Sequence, residues 1–166
     1  MQKNLVLVCL ALSVLLTVAY YTKEQYHPGI DIAMYKGCSL DMALIEEYQR
    51  EHPDAAISVY DDVPAKEYPE WLAEKVLTGQ VPAIFVVPIE DADKYIRLGA
   101  LLELDIENIS CPGISIPNNP YCLTLNTPTG HIFLGISPRA RYPKAATELL
   151  EFLQKKTFSA ASLAAQ

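Results

Sequence analysis

The sequence predicts an α/β domain, three layers deep, with helices on both faces of a parallel sheet. Three observations predict it. Ala83-Ile84-Phe85-Val86-Val87 is a continuous apolar run closed by Pro88, the pattern of a strand covered on both faces. From Ile30 to Leu98, short apolar runs alternate with stretches of helical period, so that strand, helix, strand, helix, strand, helix follow in order. Gly79 stands where a helix ending near Thr78 needs a left-handed residue, and Pro82 blocks its restart. That order calls for a parallel sheet with right-handed crossovers. Its core strands are expected at Ile30–Met34, Ile57–Tyr60 and Ile84–Val87, with the first between the other two.

Each element has a local reason. Ile30 to Tyr35 alternates as a first strand. Ser39 is the expected N-cap of a helix over Leu40 to Arg50, with Asp41 in its first turn. Leu40, Ala43, Leu44 and Tyr48 form the buried stripe of that helix. Glu51-His52-Pro53-Asp54 breaks it, and Ala56 to Tyr60 is the second strand, followed by Asp61-Asp62. The third strand gives way to a helix that exits through Leu98-Gly99-Ala100-Leu101-Leu102-Glu103-Leu104-Asp105. Ile106 to Pro120 is irregular, with Pro112, Pro117 and Pro120. Tyr121–Asn126 and His131–Ile136 read as two strands joined around Thr129-Gly130. Pro143 opens a final helix, Lys144 to Lys155, with Ala146, Leu149, Leu150 and Leu153 on one face.

The first residues differ in kind. Lys3 precedes an uncharged apolar run from Leu5 to Tyr21, which has no polar face. It is expected to be one helix clear of the domain core, either a signal peptide or a retained membrane anchor. The chain is therefore read as exported, at the extracytoplasmic face of the cell membrane. Its divisions are 1–21 for the signal or anchor, 22–29 for a linker, 30–156 for the α/β domain and 157–166 for a tail. The 166 residues carry a net charge of −7 and no basic stripe, which argues against nucleic acid. Of the four cysteines, Cys9 lies in the apolar run. Cys111 and Cys122 flank a Pro/Asn-rich loop and are either a disulfide or two thiols. No Cys or His spacing suggests a metal, no cofactor is implied, and no nucleophile has a local partner to orient it, so an enzyme is not expected.

Several of these segments resemble one family, the extracellular solute-binding proteins (family 1) of bacterial ABC sugar importers. Thr78-Gly79-Gln80-Val81-Pro82 with the strand after it resembles that family's first-lobe strand, and Leu98 to Asp105 its exit. Glu46 to Tyr60, EEYQREHPDAAISVY, resembles that family's signature of an aromatic, a His-Pro-Asp or Tyr-Pro-Asp break and an apolar strand, and GISPRARYPKAATELLEFLQ resembles a helix late in the full-length protein. One departure is Ala83, where the family usually carries an acid. The resemblance implies a periplasmic-binding-protein-like first lobe in shortened form, with most of the second lobe absent between Asp105 and Tyr121. It implies a small polar solute, a sugar in the family, as ligand and ABC permease subunits as partners, while the membrane as a partner rests on the Leu5–Tyr21 run itself. The other reading is a structural or interaction remnant that no longer binds solute.

In open α/β sheets the ligand crevice lies beyond the carboxyl ends of the strands. Those ends place Tyr35, Lys36, Gly37, Asp61, Asp62 and Glu90 in the candidate ligand site. Tyr35 offers a ring face, Gly37 close backbone approach and Glu90 an acceptor for hydroxyls. Each has a plainer role open to it: Tyr35 may end a strand against the core, and Glu90 may be the first acid of the next helix. Trp71, the single tryptophan, lies mid-helix beside Leu72 and Val76 and reads as core.

Overall fold

The computed structural model describes residues 29–104, 120–127 and 130–164. The Leu5–Tyr21 run, residues 22–28 of the linker and Cys111 lie outside them. Among the described residues no helix is long and apolar enough to cross a membrane, and Cys122 is a free, buried thiol.

The strands are β1 (Gly29–Lys36), β2 (Ala56–Pro64), β3 (Ile84–Val86), β4 (Cys122–Thr127) and β5 (Gly130–Ile136). The helices are α1 (Met42–Glu51), α2 (Tyr68–Thr78), α3 (Ala92–Arg97) and α4 (Pro143–Ala164), with a 3-10 turn at Ile89–Asp91 leading into α3. One five-stranded sheet runs β2-β1-β3-β5-β4. β1 is parallel to both neighbours and lies between them, as the sequence predicts. β5 is antiparallel to β3 and to β4, so the sheet as a whole is mixed. The cause is the short link between the last two strands. Thr127 pairs with Gly130, and two residues can join only antiparallel neighbours, so one of the pair must oppose the parallel set.

The crossovers from β1 to β2 and from β2 to β3 run in opposite directions along the sheet, and right-handedness then puts α1 and α2 on opposite faces. α4 joins α1: Tyr48 and Phe152 meet edge to face at 5.2 Å, and Lys156 Nζ lies 2.6 Å from Glu47 Oε1. α3 joins α2, with Tyr95 on the Phe85 ring at 6.3 Å and its hydroxyl 3.3 Å from Pro69 O. The core between the layers includes Ile30, Ile32, Ile84, Leu134, Ile136, Leu149 and Leu153, each almost fully buried.

α2 ends as read. Gly79 adopts φ +73, and its N–H donates to Val76 O while Gln80 N–H donates to Lys75 O, a left-handed cap that pairs two carbonyls otherwise unsatisfied. The apolar exit also holds. Ala100, Leu101 and Leu104 are buried, and Leu102 N–H donates to Ile136 O. Leu104 N–H then donates to Pro120 O at 2.7 Å, so the chain leaves and re-enters the described fold at one point.

Four local readings are corrected. The N-cap of α1 is Asp41, whose carboxylate accepts from Ala43 N–H at 2.9 Å, and not Ser39. The helix consequently begins two residues later than expected and its buried stripe is Ile45 and Tyr48, with Ala43 exposed. β2 continues past Tyr60 to Pro64, because Asp61 and Asp62 together oppose the single residue Met34 as a bulge on an edge strand. α4 runs on through the tail to Ala164, since Ala-rich sequence without Gly or Pro offers nothing to stop it.

Candidate functional site

Parallel strands put the carboxyl ends of β1, β2 and β3 at one edge of the sheet. Topology makes this edge a switch point. β1 feeds α1 on one face and its neighbour β3 feeds α3 on the other, so the chain parts between them. Tyr35, Lys36 and Gly37 lie on one side of this switch point and Pro88-Ile89-Glu90 on the other. Tyr68 occupies the floor. Its ring is buried, and its hydroxyl stands 3.0 Å from Ala33 O and 3.1 Å from Val86 O, bridging the two strands just where their pairing ends. Burial pushes that phenol above its ordinary range.

Tyr35 is half-buried, its ring edge-on to Tyr68 at 5.9 Å. The plainer role, ending a strand against the core, accounts for the side of the ring that rests on Tyr68. Burial, and then the neighbouring Cys38 thiol, raise its pKa. Lys36 and Gly37 are exposed, and Gly37 turns the chain at φ +84. Glu90 is exposed in the turn before α3, so the place of a first acid and the place of a crevice wall coincide. Asp61 and Asp62 are elsewhere. They sit in the β2 bulge, exposed on the far side of β1 from the switch point. Their charge guards a free sheet edge, a sufficient reason for their presence. Trp71 is half-buried on α2, stacked on Tyr68 at 5.7 Å with Lys75 above its other side, which is the packing role expected of it.

Two residues of this edge escape a reading by sequence. Ser39 Oγ and Thr127 Oγ1 lie 2.8 Å apart. They are 88 positions distant in the chain, and nothing local signals the pair. Tyr68 likewise has no local signal, because its partners are backbone carbonyls on other strands.

A surface recess lies at the opposite, amino edge, lined by Val76, Val81, Leu98, Ala100, Ser137 and Arg139 among others. Ser137, the buried polar residue there, accepts from Arg139 N–H at 3.2 Å and so is satisfied. Among the described residues no group of three or more His, Cys, Asp or Glu is gathered to hold a metal.

No family profile matches this chain, and no curated protein matches it. Among solved structures it is similar to an extracellular solute-binding protein family 1 from Alicyclobacillus acidocaldarius subsp. acidocaldarius DSM 446. The likeness has 20% sequence identity and a TM-score of 0.49, over 58% of this chain and 28% of that chain.

Proposed function

We propose that this chain is an exported binding protein for a small polar solute, of the solute-binding kind used by ABC importers and in shortened form. The observation that supports it is the meeting of Tyr35, Lys36, Gly37 and Glu90 at the β1/β3 switch point. An aromatic face, a cation, an open backbone and a carboxylate there are the groups that hold a polyhydroxy solute such as a sugar. Asp61 and Asp62 belong to the reading only as the rim beyond β1. The resemblance of the segments around Gly79, Pro53 and Pro143 adds the family, with permease subunits as partners and the Leu5–Tyr21 run as the route to the membrane.

A second reading is favoured by a described recess lying at the amino edge, away from Tyr35 and Glu90. In it, the fold is kept as an interaction remnant without a solute.

Titration of the chain with glucose, xylose and maltose, followed by melting temperature, separates the two. A ligand of the native state alone raises the melting point by mass action. Saturable stabilisation that Tyr35→Ala abolishes is the expected result. Binding untouched by that substitution removes this site, and no stabilisation by any sugar of a broad panel favours the remnant.

A further inference from the structure

Ser39 and Thr127 meet across a gap that the sheet order makes long. β3 and β5 stand between β1 and β4, a separation of about 14 Å over three strand steps. The two hydroxyls are nevertheless 2.8 Å apart. The loop after β1 and the Thr127 end of β4 therefore reach towards each other over the ends of β3 and β5. Thr127 Oγ1 also stands 2.9 Å from Gly130 O, which can only accept. The Thr127 proton is thus committed to its own turn, and Ser39 is the donor in the pair.

We propose that residues 37–39 form a strap latched across the carboxyl edge by the Ser39–Thr127 hydrogen bond, a latch that opens locally while the sheet beneath stays folded. The geometry supplies each part. Gly37, at φ +84 and exposed, is the hinge at one end. Leu40, 5% exposed, is the anchor at the other. Between them Cys38 N–H donates to Tyr35 O, a bond within the strap's own turn, and the Ser39 hydroxyl makes the side-chain link to Thr127. The latch is one neutral hydroxyl pair, only partly buried. Its net contribution is small, so local opening lies far below global unfolding in free energy. An open strap uncovers the ends of β3 and β5 beside the Glu90 turn. The inference goes beyond solute binding and stands without it.

Cys38 lies in the strap and reports its opening. It is a free, half-buried thiol whose pKa is raised by burial, against the Leu40 N–H that lowers it. Cys122, free and buried in β4, reports global unfolding. Native-state alkylation of the full chain with iodoacetamide, resolved site by site by mass spectrometry, gives both rates. Ser39→Ala is expected to accelerate Cys38 by roughly three- to tenfold, the effect of one net hydrogen bond, with Cys122 unchanged. Ser39→Thr keeps the hydroxyl and restores the slow rate. Thr127→Val, remote from Cys38 in sequence, must give the same acceleration, which separates opening from a change in the thiol's intrinsic reactivity. The proposal is overturned if Cys38 does not accelerate, if the two latch variants disagree, or if Cys38 and Cys122 accelerate together.

Discussion

Gly135 shows how much a single position can decide. It pairs with Phe85 on the face that α3 covers. A Cβ there would overlap Leu101 Cδ2 and approach Val87 Cγ2 at 3.0 Å. Gly135→Ala is expected to destabilise by about 1–3 kcal/mol through overpacking, measured by denaturant unfolding. Tyr68 is the polar counterpart. Tyr68→Phe keeps the ring but leaves Ala33 O and Val86 O without the phenol at 3.0 and 3.1 Å, and a loss of about 1–2 kcal/mol is expected. Neither role is legible in the sequence. Gly135 sits in an ordinary apolar strand, and its need for glycine comes from a leucine arriving from another element. The predictable glycine is Gly79, whose requirement is local: a left-handed turn ends the helix whatever packs around it.

The same division separates the elements. The three parallel strands and their order were readable because each is announced by composition and bounded by Gly, Pro or a cap. Boundaries were missed where a neighbouring strand or a competing cap decides them. Asp41 outcompetes Ser39 at the start of α1, and Ser39 is engaged by Thr127 from the far side of the sheet. Asp41→Ala is therefore expected to cost about 1 kcal/mol, while Ser39→Ala leaves the helicity of α1 unchanged by circular dichroism. β2 extends to Pro64 because β1 goes on pairing with it beyond the bulge, information that lies in β1. The candidate site divides along the same line. Tyr35, Lys36, Gly37 and Glu90 follow from strand order alone, whereas placing Asp61 and Asp62 required knowing that β2 is an edge.

At the scale of the whole molecule, burial of ionisable groups gives the fold an alkaline limit. Burial pushes the Cys122 thiol from 9.0 up to about 12, and Tyr95 from 10.0 up to about 12. Tyr68 is raised as well. Each stays protonated in the folded chain at a pH where the unfolded chain ionises, so the unfolded state binds fewer protons and stability falls as pH rises. Their contribution is complete below pH 9.0 and is lost on the way to about pH 12. Denaturant midpoints are expected to fall steadily from pH 9 to 11, and Cys122→Ala to flatten the first part of that decline. A midpoint indifferent to pH over this range would contradict the packing described for β4 and α3.

The junction at Leu104 and Pro120 has a consequence for the length of chain the fold can carry. Their hydrogen bond at 2.7 Å holds the two ends of 105–119 together from the sheet side. The closure cost of the segment then grows only with the logarithm of its length, about 0.6 kcal/mol per doubling. A folded module with adjacent termini spliced between residues 105 and 119 should leave the melting point of the α/β domain nearly where it was. Spliced at 128–129, where two residues set the register of Thr127 against Gly130, the same module should unpair the hairpin. This junction thus tolerates growth, and it lies at the amino edge of the sheet, away from Tyr35 and Glu90.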